Sequence, residues 1–157
     1  MKTIKNLGIS DFAQVSKFIL EEKKEFDKFV KLGWSMTNIQ NHLKKNNNFS
    51  LGCIYKNKIY GILLGEKIIN NSHFDLEIHI IFVSQNDRRK NIGSKILNFV
   101  EKNKNLNNIT KIYLEVSEDN INAIKFYEKN NFVFFKFRHN YYIGNKSINA
   151  KCYSKII

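Results

Sequence analysis

The 157-residue sequence predicts an α/β fold in which one mixed sheet of about seven strands carries helices on both faces. Two observations predict this class. Segments with strand and helix periodicity follow one another in the order β-αα-βββ-α-β-α-ββ, and each of the two later helices joins consecutive strands, the first as a parallel crossover. With 43% hydrophobic and 25% charged residues, the chain reads as globular, with one domain over residues 1–157.

The first part of the chain predicts an edge strand and two helices. The strand covers residues 3–5, and Ser10 is placed to cap a helix with an apolar stripe of Phe12, Val15, Phe18 and Ile19. That helix runs into the charged stretch 21–31. Gly33-Trp34-Ser35 breaks the pattern, and Ser35 caps a second helix whose apolar face contains Met36, Ile39 and Leu43.

The remainder of the chain predicts strands separated by polar turns, with two further helices. The strands cover residues 49–55, 59–65, 74–83, 111–116, 132–137 and 151–155. The helices cover residues 92–102 and 121–129. Turns are expected at 56–58 and 70–72, and a loop at 139–149.

Composition limits the function classes. The formal charge of +12 favours polyanions such as RNA, or a cofactor that carries phosphate. Cys53 and Cys152 form neither a disulfide scaffold nor a CxxC metal pair, so we expect two buried thiols and no metal. The N-terminus lacks the apolar core of a signal peptide, and no apolar run approaches the roughly 20 residues of a membrane span. We therefore expect a cytoplasmic protein without membrane association.

A basic loop opens the helix at residues 92–102. It reads Arg88-Arg89-Lys90-Asn91-Ile92-Gly93-Ser94 and follows the strand that ends at Val83. The first turn of a helix has unpaired N–H groups and a partial positive charge, so a diphosphate can accept several hydrogen bonds there. Gly93 lets the backbone come close to such a ligand. The alternative is an ordinary solvated helix N-terminus.

Glu115 lies on the polar face of an otherwise apolar strand. Ile112, Leu114 and Val116 form one face, whereas Tyr113, Glu115 and Ser117 form the other. A central strand with a polar face indicates a cleft, where a carboxylate can accept a proton from an amine. The alternative is an exposed glutamate on an edge strand.

Asn120 and Tyr127 belong to the helix that follows this strand. Asn120 is a good helix cap, a role that does not exclude contact with a ligand. Tyr127 is either part of the apolar core or a phenol that donates its proton to a leaving thiolate. A base on the strand and an acid on the helix would then flank one reacting centre.

These motifs resemble those of the GNAT superfamily of acetyl-CoA-dependent N-acetyltransferases, and most of all the RimI-type enzymes that acetylate the N-terminal amine of a ribosomal protein. The family loop Arg/Gln-x-x-Gly-x-Gly/Ala is matched by residues 88–93. The RimI signature is matched by Leu114-Glu115-Val116, by 120–128 and by Asn131-Phe132. Its tail Arg-x-x-Tyr-Tyr is matched by 138–142, and Trp34-Ser35 resembles a family Trp-Ser between the first two helices.

The resemblance implies a mostly antiparallel sheet with a central parallel pair of strands that splay apart around the thioester. It implies that Glu115 is the general base and that Tyr127 is the acid. Acetyl-CoA would be bound by Ile81, Phe82 and Val83 through strand backbone, by Arg88, Arg89, Lys90, Asn91, Ile92, Gly93 and Ser94 at the diphosphate, and by Asn120 and Tyr127. Trp34, Tyr141 and Tyr142 would contact the acceptor.

Three positions depart from the family pattern. Asn91 replaces the first loop glycine; asparagine tolerates the left-handed conformation better than most residues, but its side chain can crowd a phosphate. Asn131 replaces the glycine after the last helix. Ile148-Asn149-Ala150 stands where the family has Glu-Asp-Ala, which puts the acceptor in question.

Three functions are compatible with the sequence. The first is an acetyltransferase acting on a protein N-terminus, such as that of a ribosomal protein. The second keeps the fold and acetyl-CoA and changes the acceptor to a lysine, a polyamine or an aminoglycoside. The third is a basic module that binds RNA or the ribosome without catalysis, and the presence of both Glu115 and Tyr127 argues against it.

Overall fold

The computed structural model describes residues 1–142 and 147–157. Its strands are β1 Thr3–Leu7, β2 Ser50–Tyr55, β3 Lys58–Asn70, β4 His73–Val83, β5 Ile109–Ser117, β6 Val133–Tyr142 and β7 Ile148–Ile156. Its helices are α1 Phe12–Glu21, α2 Lys23–Val30, α3 Met36–Lys44, α4 Ile92–Lys102, α5 Lys104–Asn107 and α6 Ile121–Lys129. None of these helices, within the described residues, is long and apolar enough to cross a membrane.

All the strands form one seven-stranded sheet in the order β1-β2-β3-β4-β5-β7-β6. The β4–β5 pair at its centre is parallel, and α4 makes the crossover between these two strands. Every other neighbouring pair is antiparallel. The predicted fold class is therefore confirmed, including the parallel pair within a mostly antiparallel sheet.

Helices cover both faces of the sheet and bury two apolar cores. On one face, α1, α2 and α3 pack with Ile80 and Phe82 of β4 around the fully buried Phe26 and Ile39. On the other face, α4 and α6 pack over Leu114 of β5. The first three helices cover β3 and β4, so the outer strands β5, β7 and β6 leave one face of the sheet open.

Local signals placed most helix ends correctly. The helices at 92–102 and 121–129 begin and end where the periodicity predicted. The predicted cap of α3 is also confirmed, because the Ser35 hydroxyl accepts the Asn38 N–H at 3.2 Å. The predicted turn between β2 and β3 is confirmed as well: Lys56 and Asn57 both have positive φ, as a two-residue hairpin turn requires.

Four details differ from the prediction. Ser10 does not cap α1; it lies in a 3₁₀ turn, Ile9–Asp11, closed by Asp11, whose carboxylate accepts the Gly8 N–H at 3.0 Å. The stretch 21–31 is a separate helix, because the chain leaves helical geometry at Glu22. The short helix α5 was missed.

The fourth difference concerns the predicted loop 139–149. It is largely a hairpin, since β6 continues to Tyr142 and β7 begins at Ile148. Residues 143–146 of that loop lie outside the described part of the chain.

Both cysteines are buried and free, as predicted. Burial raises the pKa of the Cys53 thiol and of the Cys152 thiol, so both stay protonated near neutral pH.

Candidate active site

The central parallel strands separate partway along their length. Their pairing runs from Phe74 opposite Ile109 to Ile78 opposite Leu114 and then ends. β4 continues to Val83 paired with β3 alone, and β5 continues to Ser117 paired with β7 alone. The sheet therefore contains a gap between residues 79–83 and 115–117, with a free backbone edge on each side.

A β-bulge in β4 lies where the gap begins. Leu64 pairs with Ile80 and Gly65 pairs with Ile78, so His79 is the extra residue. The bulge exchanges the faces of the strand, because Ile78 packs into the core beneath α4 whereas Ile80 packs beneath α1 to α3. Such a bulge bends and twists its strand, which accounts for the separation of β4 from β5. A Cβ at Gly65 would lie 2.7 Å from the Glu77 carbonyl oxygen, so the bulge requires glycine here.

The N-terminus of α4 lies directly beyond the free end of β4. Asn91 occupies its N-cap position in the left-handed conformation, with φ 59 and ψ 18, and no described side chain caps the helix. The N–H groups of Ile92, Gly93 and Ser94 therefore remain available for an anion. The left-handed geometry is the one that asparagine was expected to tolerate.

The three basic residues of this loop differ in their partners. Arg88 forms an ion pair with Glu25 of α2 at 2.9 Å and donates to the Val83 carbonyl. Lys90 pairs with Asp87 at 3.3 Å. Arg89, which is exposed and left-handed with φ 61, has no ion-pair partner among the described residues. Arg89 is therefore the basic side chain that is most available to a phosphate.

Gly93 has a packing role that the sequence did not reveal. A Cβ on Gly93 would lie 2.8 Å from a ring carbon of Phe126 on α6. Glycine thus lets the first turn of α4 touch α6, which brings the anion-binding loop next to the helix of Asn120 and Tyr127.

Glu115 lies beside the gap on the open face of the sheet. Its Oε1 accepts from the Arg138 guanidinium at 2.7 Å and lies 3.8 Å from the Cys152 sulfur. Burial, then the charge of Glu115 and a hydrogen bond to its carboxylate, raise the pKa of the Tyr141 phenol. Oε2 is the oxygen that Arg138 does not hold. The Glu115 side chain is 24% exposed, so this oxygen is placed to meet a ligand that enters from the open face.

Tyr127 lies on the other side of the sheet. It is 8% exposed and packs edge-on against Phe126 and Phe132, with ring centroids 5.2 Å and 5.7 Å away. Burial, and then the nearby Tyr142 phenol, raise the pKa of Tyr127, so its proton is retained near neutral pH. Because Leu114 and Val116 point to this side and Glu115 to the opposite one, the predicted acid and base lie on opposite faces of the sheet.

Asn120 caps α6 as predicted. Its side-chain oxygen accepts the Ala123 N–H at 3.2 Å. The cap fixes the start of the helix that carries Tyr127.

The three aromatic residues expected to contact an acceptor have different surroundings. Trp34 packs against the bulge residue His79, with ring centroids 5.5 Å apart. The Arg138 guanidinium lies over the Tyr141 ring, with its central carbon 4.1 Å from the ring centroid. Burial is the main reason that the pKa of Tyr142 is raised to about 12, and the nearby Tyr141 phenol raises it further.

Sequence reasoning missed several residues near the gap. Arg138 belongs to the tail motif, but nothing in the sequence linked it to Glu115, 23 residues away. His42, Glu66 and His79 form a cluster with Trp34, and only the helical spacing of His42 from Ile39 pointed inward. Within the described residues, no group of three His, Cys, Asp or Glu is arranged to hold a metal ion.

A central parallel pair of strands that splays apart beside an uncapped helix N-terminus agrees with the fold of acetyl-CoA-dependent N-acetyltransferases. Residues 13–132 match the model of the Acetyltransferase (GNAT) family. The chain therefore belongs to the GNAT acetyltransferase family and is an N-acetyltransferase.

Solved structures agree with this assignment at the level of the fold. Arabidopsis thaliana NAA60 in complex with a bisubstrate analogue is similar with a TM-score of 0.80 and 14% identity, covering 100% of this chain and 98% of that one. The ribosomal-protein-S18-alanine N-acetyltransferase from Escherichia coli gives 0.79 and 18%, covering 100% and 94%. An N-acetyltransferase from Staphylococcus aureus Mu50 gives 0.78 and 25%, covering 99% and 97%. No curated protein is significantly similar in sequence.

Proposed function

We propose that this enzyme acetylates the N-terminal α-amine of a protein or peptide, with acetyl-CoA as the acetyl donor. The observation that carries the proposal is the gap between β4 and β5, which has Glu115 on its open face and Tyr127 on its helix-covered face. Two reactants can approach such a gap from opposite sides and meet within the sheet.

The described residues fit the cofactor. The first turn of α4 offers N–H groups without a side-chain cap, and Arg89 adds an unpaired charge beside them. The free edge of β4 at Ile81, Phe82 and Val83 offers backbone hydrogen bonds to the amides of a pantetheine arm. Acetyl-CoA bound there supplies an activated acetyl thioester. A solved structure of Arabidopsis thaliana NAA60 contains acetyl-CoA in the same overall fold.

Glu115 acts on the acceptor amine in this proposal. Attack requires a neutral amine, and a free α-amine has a pKa of about 8, so most of it is protonated at pH 7. Oε2 of Glu115 accepts that proton while Arg138 holds Oε1 and fixes the carboxylate.

Tyr127 acts on the leaving group. Because burial raises its pKa, the phenol is protonated at neutral pH and serves as a proton donor to the departing thiolate. Its packing between Phe126 and Phe132 fixes the ring, so the proton is delivered from one position.

The choice of a peptide acceptor rests on the open face. Trp34 packs against His79 of β4, and Tyr141 packs against Arg138, the partner of Glu115 on β5, so aromatic side chains on both sides of the gap can hold an extended chain. Two structural neighbours are described as a ribosomal-protein-S18-alanine N-acetyltransferase and as NAA60 with a bisubstrate analogue. A lysine side chain or a small amine is the second candidate, favoured by the acidic Glu77 next to Tyr113 on the same face.

The test is a panel of acceptors incubated with acetyl-CoA, with release of CoA followed by a thiol reagent. Short peptides that begin with Ala, Ser or Met are compared with N-acetylated lysine peptides, a polyamine and an aminoglycoside. We expect release with free N-termini and much less with the other acceptors. Release with the lysine peptides or small amines alone would overturn the choice of acceptor and leave the acetyltransferase assignment intact.

A further inference from the structure

A cavity of about 360 Å³ lies beside the gap on the open face of the sheet. Trp34, His42, Lys45, Glu66 and His79 line it. In the strand register, Glu66 on β3 lies opposite Glu77 on β4, and Glu77 lies opposite Tyr113 on β5. Tyr113 is on the same face of β5 as Glu115. The cavity and the predicted base therefore belong to one continuous surface.

Hydrogen bonding fixes the proton on His42. Asn48 donates its side-chain N–H to the Leu7 carbonyl, so its oxygen accepts the Ser50 hydroxyl proton at 2.6 Å. Ser50 Oγ is then an acceptor toward His42 Nε2, which lies 3.3 Å away. With this arrangement of hydrogen bonds the proton of a neutral His42 is on Nε2, facing the Ser50 oxygen, and Nδ1 carries a lone pair.

His42 Nδ1 is a buried acceptor without a donor. The side chain is 2% exposed, and Nδ1 is one of the few fully buried polar atoms in the described residues with no hydrogen-bond partner. Burial lowers the pKa of His42 more than the neighbouring Glu66 raises it, so the ring is neutral near pH 7. An unsatisfied buried acceptor is costly, which marks this atom as a place for a missing donor.

A carboxylate oxygen converges on the same point. Glu66 Oε1 lies 3.4 Å from His42 Nδ1 and 3.6 Å from His79 Nε2. Lys45 already donates to this oxygen at 2.5 Å, yet it gives no hydrogen bond to His42. Burial is the largest single influence and would raise the pKa of Glu66, but Lys45, His79 and Asn47 together lower the pKa, so the carboxylate is charged.

These neighbours suit an organic cation. The Trp34 ring lies 5.2 Å from the His42 ring and 5.5 Å from the His79 ring, and aromatic faces attract ammonium and guanidinium groups. The described residues contain no group of three ligands arranged for a metal ion. An N–H donor with a positive charge satisfies both the lone pair of His42 and the carboxylate of Glu66.

We propose that this cavity binds a second cation of the acceptor, the side-chain ammonium or guanidinium of a Lys or Arg near the N-terminus of a peptide. The inference rests on the proposed function, in which the α-amine lies at Glu115. From strand spacing and rise, Glu66 is roughly 12 Å from Glu115, a span that the side chain of residue 2 or 3 can bridge. Lys45, 49% exposed, is the internal competitor that such a cation displaces.

The test compares two peptide amides that differ only in charge. Ala-Lys-Ala-Ala amide and Ala-norleucine-Ala-Ala amide have the same α-amine and the same chain length. We expect KM for the lysine peptide to be lower by about 10-fold, as for a hydrogen bond to a charged group. Glu66→Gln should abolish this ratio, whereas Lys45→Met, a change at an exposed side chain, should enlarge it.

Equal KM values for the two peptides in the unmodified enzyme would overturn the proposal. A ratio that survives Glu66→Gln would overturn it too. Faster acetylation of 1,5-diaminopentane than of the lysine peptide would overturn the assignment to a peptide in favour of a small diamine.

A second readout does not depend on activity. Trp34 is the only tryptophan of the chain, so its fluorescence reports on the cavity alone. Nα-acetyl-lysine amide has a blocked α-amine and a free side-chain ammonium, so it should change the emission. Nα-acetyl-norleucine amide, which lacks the ammonium, should not. If no peptide is acetylated, the proposed function fails, but this titration still shows whether the cavity binds an organic cation. A response to Zn²⁺ without one to acetyl-lysine amide would overturn the cation site.

Discussion

Replacing Glu115 by Gln tests the assignment of the general base. The side chain keeps its shape, and the amide oxygen can still accept from Arg138, now 2.7 Å from Oε1. What is lost is the ability of Oε2 to take a proton from the acceptor amine. The change therefore separates proton removal from positioning.

The size of the effect follows from the ionisation of the amine. An α-amine with a pKa of about 8 is neutral to about a tenth at pH 7 and to about nine-tenths at pH 9. Without a base, the rate should follow this neutral fraction, whereas the unmodified enzyme removes the proton itself. General base catalysis is typically worth about 10²–10⁴-fold, so we expect a loss in that range at pH 7 that shrinks by about tenfold at pH 9.

The assay is kcat/KM for one peptide at several pH values from 6.5 to about 9, measured by CoA release. Arg138→Met is the matched control, since it removes the positioning contact and keeps the carboxylate. A defect of equal size at every pH would show that Glu115 positions the acceptor. Full activity of the variant would move the base elsewhere, and Glu77 on the open face of β4 is the next candidate.

Three further predictions concern the other side of the gap. Tyr127→Phe should lower turnover by about 10²–10⁴-fold with little change in acetyl-CoA affinity measured by calorimetry; unchanged turnover would assign Tyr127 to packing alone. Gly93→Ala should cost about 1–3 kcal/mol, seen as a lower Tm, because the new Cβ would meet the Phe126 ring 2.8 Å away; an unchanged Tm would contradict this. Acetyl-CoA should raise Tm, and Arg89→Gln should reduce this shift more than Arg88→Gln, whose charge is already paired with Glu25; the reverse order would argue against Arg89 as the phosphate ligand.

The sequence predicted those elements whose signals are local. The apolar stripes of α3, α4 and α6, and the caps of α3 and α6, depend on neighbours within a turn, and these helices were found where expected. The division of the first helix at Glu22 and the 3₁₀ turn at Ile9–Asp11 were not predictable from apolar spacing, because both depend on how the chain packs against the sheet. The β6–β7 hairpin was also underestimated, since β6 has exposed residues on both faces and lacks the alternation that marks a strand.

The features of the candidate site also separate into those with local sequence signals and those that depend on contacts between distant residues. The basic loop, Glu115 and Tyr127 could be predicted as site residues because each lies in a contiguous motif, and the gap between β4 and β5 was expected from the family resemblance. The bulge at His79 and the Glu115–Arg138 ion pair join residues that are distant in sequence, so only the folded chain reveals them. No observation on the described residues supports the alternative of a non-catalytic RNA-binding module, and membership of the acetyltransferase family favours catalysis.

The bulge in β4 explains why one sheet can serve two reactants. Without the extra residue His79, β4 would continue to pair with β5, and the backbone edge at residues 79–83 would be closed. With it, the edge is free, Ile80 and Phe82 turn toward the first three helices, and His79 comes to lie against Trp34. One local irregularity therefore creates the gap beside Glu115, frees the strand edge proposed for the cofactor, and forms one wall of the cavity proposed for the second cation of the acceptor.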